Sequence, residues 1–207
     1  MGCDIHLFTE YFTTIKDVKR WVCCDYFKLN PYFGEYEDER KYNHISIYGN
    51  RNYTTFAALA NVRNYGCIEP ISEPRGLPND VSNYIQEKSD DYGIDGHSHS
   101  WLTAKELFIY KNKHPVTKHS GMLSPDILKK FDDYGITPTQ WCEWTNIEGA
   151  ERREWYVAGS PIDYLVDVVK KKMAEVFWIW DFYDDKEKEK MYWENADNFR
   201  IVFWFDN

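Results

Sequence analysis

The chain has 207 residues, 43% of them hydrophobic, and a formal charge of −9, which is enough apolar material for one core. The acidic balance argues against a protein that grips a long nucleic-acid backbone, but a small phosphate-bearing ligand needs only a local positive pocket. Five irregularly spaced cysteines without a C-x-x-C argue against a zinc ribbon or a disulfide framework, and no apolar run reaches membrane-span length.

Taken in order, residues 3–12 alternate as a strand, with Asp4, His6, Phe8 and Glu10 on one face and Cys3, Ile5 and Leu7 on the other. Asp4 and His6 stand where a signal peptide would be apolar, so no secretory leader is expected and the chain reads as soluble, reduced and cytoplasmic. Residues 13–19 form a polar turn and 20–29 a second β-like run, which a hairpin would pair with the first. Residues 30–50 read as an irregular excursion. A helical stripe of Phe56, Leu59, Ala60 and Arg63 runs through residues 53–63. Three prolines make 70–78 a loop, and Asn79-Asp80 opens a helix to about Tyr92.

Thr103-Ala104-Lys105-Glu106 is a capping box that starts another helix. His114 and His119 fall in a lysine-bearing loop, and His44 stands alone; none of the three is assigned a role. Ser124-Pro125-Asp126 opens a helix to about Tyr134, Thr137-Pro138 repeats the signal, and Ser160-Pro161 precedes the longest helix. There Ile162, Leu165, Val166, Val169, Met173, Val176, Phe177 and Trp180 keep helical spacing. Residues 184–190 are a solvated charge run and 184–195 a second irregular excursion. Residues 199–205 are strongly β-prone and are placed beside the N-terminal strand. The expectation is a single α+β domain, 1–207, with a largely antiparallel sheet including the N- and C-terminal strands and helices packed on it.

Candidate chemistry concentrates in Asp95-Gly96-His97-Ser98-His99-Ser100 and in the first strand. In an extended segment His97 and His99 face one target, and the two segments are expected to meet. Asp4, His6, His97 and His99 suit one divalent metal, zinc or manganese. Without a metal, His97 and His99 form an acid–base pair, with Asp4 or Asp95 fixing a tautomer and Ser98 or Ser100 steering a phosphate. Arg51, Arg63 and Arg75 offer guanidinium forks for phosphate, and Tyr53 a ring for stacking. Sixteen tyrosines and nine tryptophans exceed what a core of this size needs and suit half-buried pockets.

Several segments together resemble a family of small bacteriophage and bacterial proteins that usually carries no assigned activity. They are Met1-Gly2-Cys3-Asp4-Ile5-His6, Arg51-Asn52-Tyr53 with Phe56 and Arg63, Ile71-Ser72-Glu73-Pro74-Arg75-Gly76-Leu77-Pro78, Gly96-His97-Ser98-His99-Ser100-Trp101-Leu102, and Val202-Phe203-Trp204-Phe205-Asp206-Asn207. Residues 20–50 and 108–195 match it little. The resemblance implies a phage-type setting inside a bacterial cell, where such proteins often blunt host defence.

The reading these features favour is a protein that captures a phosphate-bearing, nucleotide-like ligand through His97, Ser98, His99, Arg51, Tyr53, Arg63 and Arg75, with Asp4 and His6 beneath. One alternative is a metal-dependent or histidine-based phosphoesterase using His97, His99 and Asp4. The other is an inhibitor that binds a host protein through aromatic anchors. A pocket shared between two copies in a homo-oligomer is left open.

Overall fold

The computed structural model describes residues 2–35 and 40–207. The strands are β1 (Asp4–Ile15), β2 (Val18–Cys23), β3 (Tyr26–Leu29), β4 (Tyr42–Ile45), β5 (His97–Thr103), β6 (Val116–Leu123), β7 (Glu151–Ala158) and β8 (Phe199–Asp206). The helices are α1 (Tyr53–Ala60), α2 (Asn83–Tyr92), α3 (Ala104–Lys113), α4 (Pro125–Tyr134), α5 (Asp163–Val176) and α6 (Asp185–Asn195). The architecture is α+β. No helix among the described residues is long and apolar enough to cross a membrane.

The chain divides into two compact units. The first comprises Met1–Arg51, Pro74–Ile109 and Tyr164–Asn207; the second comprises Asn52–Glu73 and Tyr110–Asp163.

The first unit is built on a four-stranded antiparallel sheet in the order β2-β1-β8-β5. The N- and C-terminal strands pair along their length, from Asp4 opposite Asp206 to Tyr11 opposite Phe199. β8 lies inside the sheet and is buried on both faces, which accounts for its unbroken run Phe199-Arg200-Ile201-Val202-Phe203-Trp204-Phe205. The β1–β2 hairpin closes on a two-residue turn in which Lys16 and Asp17 both adopt positive φ, 50° and 64°. That geometry matches the twist of a tight hairpin.

The expected second strand is divided. β2 stops at Cys23, Asp25 turns inward, and Phe27 on β3 pairs with His44 on β4. Part of the expected irregular excursion is therefore β4, while residues 36–39 lie outside the described residues. One face of the sheet carries Phe8, Val202 and Trp204 under Ile85 of α2. On the other, Phe177 at the end of α5 meets Tyr11 and Phe199 edge-on.

Helix ends follow their caps where the cap chemistry is local. Thr103 and Glu106 bond reciprocally at the start of α3, and Asn52 caps α1 through Thr54 and Thr55. α5 ends at Val176, short of Trp180, because Trp178 takes a left-handed φ of 58°. The expected irregular charge run is instead α6, started by a capping box between Asp184 and Glu187. A strong local N-terminus outweighs a polar composition there.

In the second unit, β6 pairs with β7, so His119 lies on a strand rather than in a loop. It stacks on Trp155, with Trp141 edge-on to both. The cap signal at Thr137-Pro138 starts no helix; Cys142 bridges to Met122 instead. Tertiary pairing prevails over a local signal at that position.

Candidate functional site

β8 lies between β1 and β5, so the opening strand and the His-x-His segment flank a common element. His6 on β1 stands opposite Trp204 with its ring 6.0 Å away, and His99 on β5 stacks on the same indole at 5.4 Å. α2 crosses above them. Its Tyr92 hydroxyl hydrogen-bonds His6 Nδ1 at 2.9 Å, and its Ser89 hydroxyl shares a 2.9 Å bond with His99 Nε2. His6 Nε2 also lies 3.1 Å from Asp206 Oδ2, an ion-pair distance without hydrogen-bond alignment. Burial, and then the neighbouring His97, push the His99 pKa below its ordinary value. Burial also raises the Tyr92 phenol, followed by the charges of Asp206 and Asp91, so the hydroxyl beside His6 keeps its proton.

His97 departs from the expectation. The β5–β8 register slips between His97 and Ser100, and Ser98 takes a positive φ of 53°. This bulge inserts one extra residue and rotates His97 to the other face, where it stacks on Phe205 at 6.1 Å. His97 and His99 therefore do not share a target, and the acid–base pair drawn from period-2 spacing is not formed. His97 Nδ1 is 3.0 Å from Ser98 Oγ, while its Nε2 is buried without a hydrogen-bond partner.

The arginines are held by carboxylates. Arg51 donates through Nε to Asp4 Oδ1 at 2.8 Å, and that bond holds the Asp4 carboxyl below its usual pKa. The guanidinium lies against Gly2, where a Cβ would stand 2.3 Å from Nη1, so a larger residue there would push the arginine aside. Arg75 sits on a loop strapped to the edge of β5. Its own N–H donates to Ser100 Oγ at 3.2 Å, and the Gly76 N–H donates to the His99 carbonyl at 2.8 Å. Its side chain lies over Trp101 and reaches Glu106 at 2.6 Å. Tyr53 and Arg63 belong to the second unit; Tyr53 begins α1, and Arg63 reaches the Tyr65 hydroxyl at 3.4 Å.

The expected metal set is not assembled. Asp4 is bound by Arg51, His6 is bonded to Tyr92, and His97 faces away from His99. Among the described residues no group of three or more His, Cys, Asp or Glu side chains could hold an ion.

Sequence reasoning passed over His44. Its Nε2 lies 2.8 Å from Asp25 Oδ2, whose side chain is withdrawn from solvent. Asp25 also accepts from the Thr9 N–H at 3.1 Å, the Thr9 hydroxyl and the Cys23 thiol. A carboxylate with this many donors is fully employed as an acceptor. The only hint in the sequence was an acid ending an apolar strand.

An open groove of about 530 Å³ lies beside this network. Trp21, Cys23 and Phe27 line one side, residues 80–84 the other, and Arg20 supplies a cation. Behind the wall, Ser82 Oγ and Tyr84 Oη are buried without a protein partner. Comparison with protein-family models, curated proteins and solved structures yields no match for this chain.

Proposed function

We propose that the protein captures a small ligand that joins a phosphate to an aromatic ring, such as a nucleotide signal in a phage-infected cell. The supporting observation is that guanidinium forks are held beside the strands that carry the histidines: in the first unit Arg51 is fixed by Asp4 at the start of β1, and the Arg75 loop is tied to β5 through Arg75–Ser100 and Gly76–His99. The Asp4–Arg51 and Arg75–Glu106 pairs are partly exposed. Such pairs contribute little individually and can be exchanged for a ligand's phosphate, while the carboxylates keep the forks extended beforehand. His99, His6 and Tyr92 add hydrogen-bonding groups on the face of the sheet under α2.

The test incubates the full chain with a panel of cyclic and linear dinucleotides, removes unbound material, releases the ligand by heat and identifies it by mass spectrometry. Intact ligand from the wild type, with retention falling about tenfold in Arg75→Ala and His99→Ala, is the expected result. Recovery of cleaved products would instead make the protein a phosphoesterase. If no nucleotide is retained, or both variants retain it like the wild type, the proposal fails.

A further inference from the structure

We infer that the groove beside β2 is a docking site for an extended, acidic peptide segment of a partner protein, taken up as an added strand. β2 is an edge strand, and among the described residues no strand pairs with its outer side. The two-residue turn makes Ile15 and Val18 the pair that closes the hairpin. In an antiparallel ladder, bonded and unbonded pairs alternate, so Lys19 and Trp21 turn their backbone N–H and C=O groups outward. Such an edge is a template for another strand unless something blocks it.

The lining of the groove agrees with that orientation. It follows the consecutive run Arg20, Trp21, Val22 and Cys23, not alternate residues, so it opens onto the backbone edge and not onto one face of the sheet. The opposite wall is firm. The Ser82 N–H donates to Glu10 Oε1 at 2.7 Å, and Arg200 holds Asp80 at 2.8 Å. Trp21 is backed by the Arg200 guanidinium at 4.0 Å, which fixes its indole for an apolar side chain to rest on. A volume of about 530 Å³ falls in the range that holds a drug-sized molecule, and so a few peptide residues.

Charge selects the occupant. The hairpin tip carries Lys16, Lys19 and Arg20 against Asp17 alone, a basic spot on a chain of net charge −9. A partner strand with Asp or Glu near Arg20 and an aliphatic or aromatic residue over Trp21 complements it. A second copy's β2, Val18–Cys23, carries two cations and no acid, so self-pairing lacks that complement.

The test selects short random peptides on the full chain, with the Trp21→Ala protein as counter-selection, and measures the enriched peptides by calorimetry. Enrichment of alternating apolar sequences with an acid at one end is expected. Methylating the peptide's backbone nitrogens should weaken binding about tenfold. Arg20→Glu, at an exposed position that leaves folding intact, should convert the preference from acidic to basic peptides. No enrichment, or affinity indifferent to both N-methylation and Arg20→Glu, overturns the inference. Dimers in light scattering that vanish in Arg20→Glu would reassign the groove to self-association and overturn it equally.

Discussion

The Arg200 guanidinium lies 2.7 Å from the Glu10 carboxylate across the β1–β8 ladder, with the two side chains only 3% and 0% exposed. Each has further partners: Glu10 accepts the Ser82 N–H, and Arg200 extends to the Asp80 carboxylate. Removing Glu10 leaves the buried Arg200 only Asp80 as a partner and orphans the Ser82 N–H; breaking a buried pair in this way typically costs about 3–5 kcal/mol. Glu10→Ala is therefore expected to lower unfolding stability by that amount in urea. The double replacement Glu10→Leu with Arg200→Met should recover much of it. A Glu10→Ala protein as stable as the wild type would show that the pair contributes nothing.

Asp25 carries a different kind of load. It satisfies donors from Thr9, Cys23 and His44 at once, and leaving buried donors unsatisfied costs about 1–3 kcal/mol each. Asp25→Ala should destabilise by about 3 kcal/mol, and Asp25→Asn by less because one acceptor oxygen remains. Denaturant midpoints with an unchanged slope would confirm that order.

Ser98 occupies left-handed backbone at the β5 bulge, a region that β-branched residues strongly avoid. Ser98→Val should cost about 1–3 kcal/mol. Ser98→Gly, which lifts the conformational restriction but loses the hydroxyl contact with His97, should stay close to the wild type. Thermal melts of the two variants decide this.

His99 titrates below its ordinary value of 6.5, from burial and then from His97. Its folded pKa is therefore lower than its unfolded one, so the unfolded chain takes up the proton first as pH falls. Stability from this group is fully present above the unfolded pKa. It declines as pH drops below about 6.5 and reaches its minimum once the folded state is protonated too. His99→Gln should flatten that part of the stability–pH curve, and NMR titration should place the His99 ring below 6.5.

For Arg51, which grips an exposed Asp4, the expectation is separation of stability from function. Arg51→Ala should leave the thermal midpoint near the wild-type value, since exposed ion pairs contribute little, yet reduce nucleotide retention in the heat-release assay. A variant that retains ligand fully would remove Arg51 from the proposed site.

Much of the first unit is legible in the sequence alone. Alternation in residues 3–12, the apolar run at 199–205 and the capping box at Thr103 each rest on interactions within a few residues or on a pattern of period two. Their strands and helix stand where those signals place them. The helix of residues 185–195 was obscured by its polarity, although Asp184 and Glu187 spell the cap that starts it.

What the chain by itself determined, then, is the inventory: which segments extend, which coil, and which hold side chains able to meet an anion. Tertiary structure alone decided their facing. A single inserted residue at Ser98 reverses one imidazole, because side chains on a strand alternate and any slip in register exchanges the two faces. Likewise the union of Asp25 with His44, nineteen positions apart, depends on where β4 pairs with β3. Local sequence carries no record of that pairing, since its free energy comes from contacts made only after the chain has folded back.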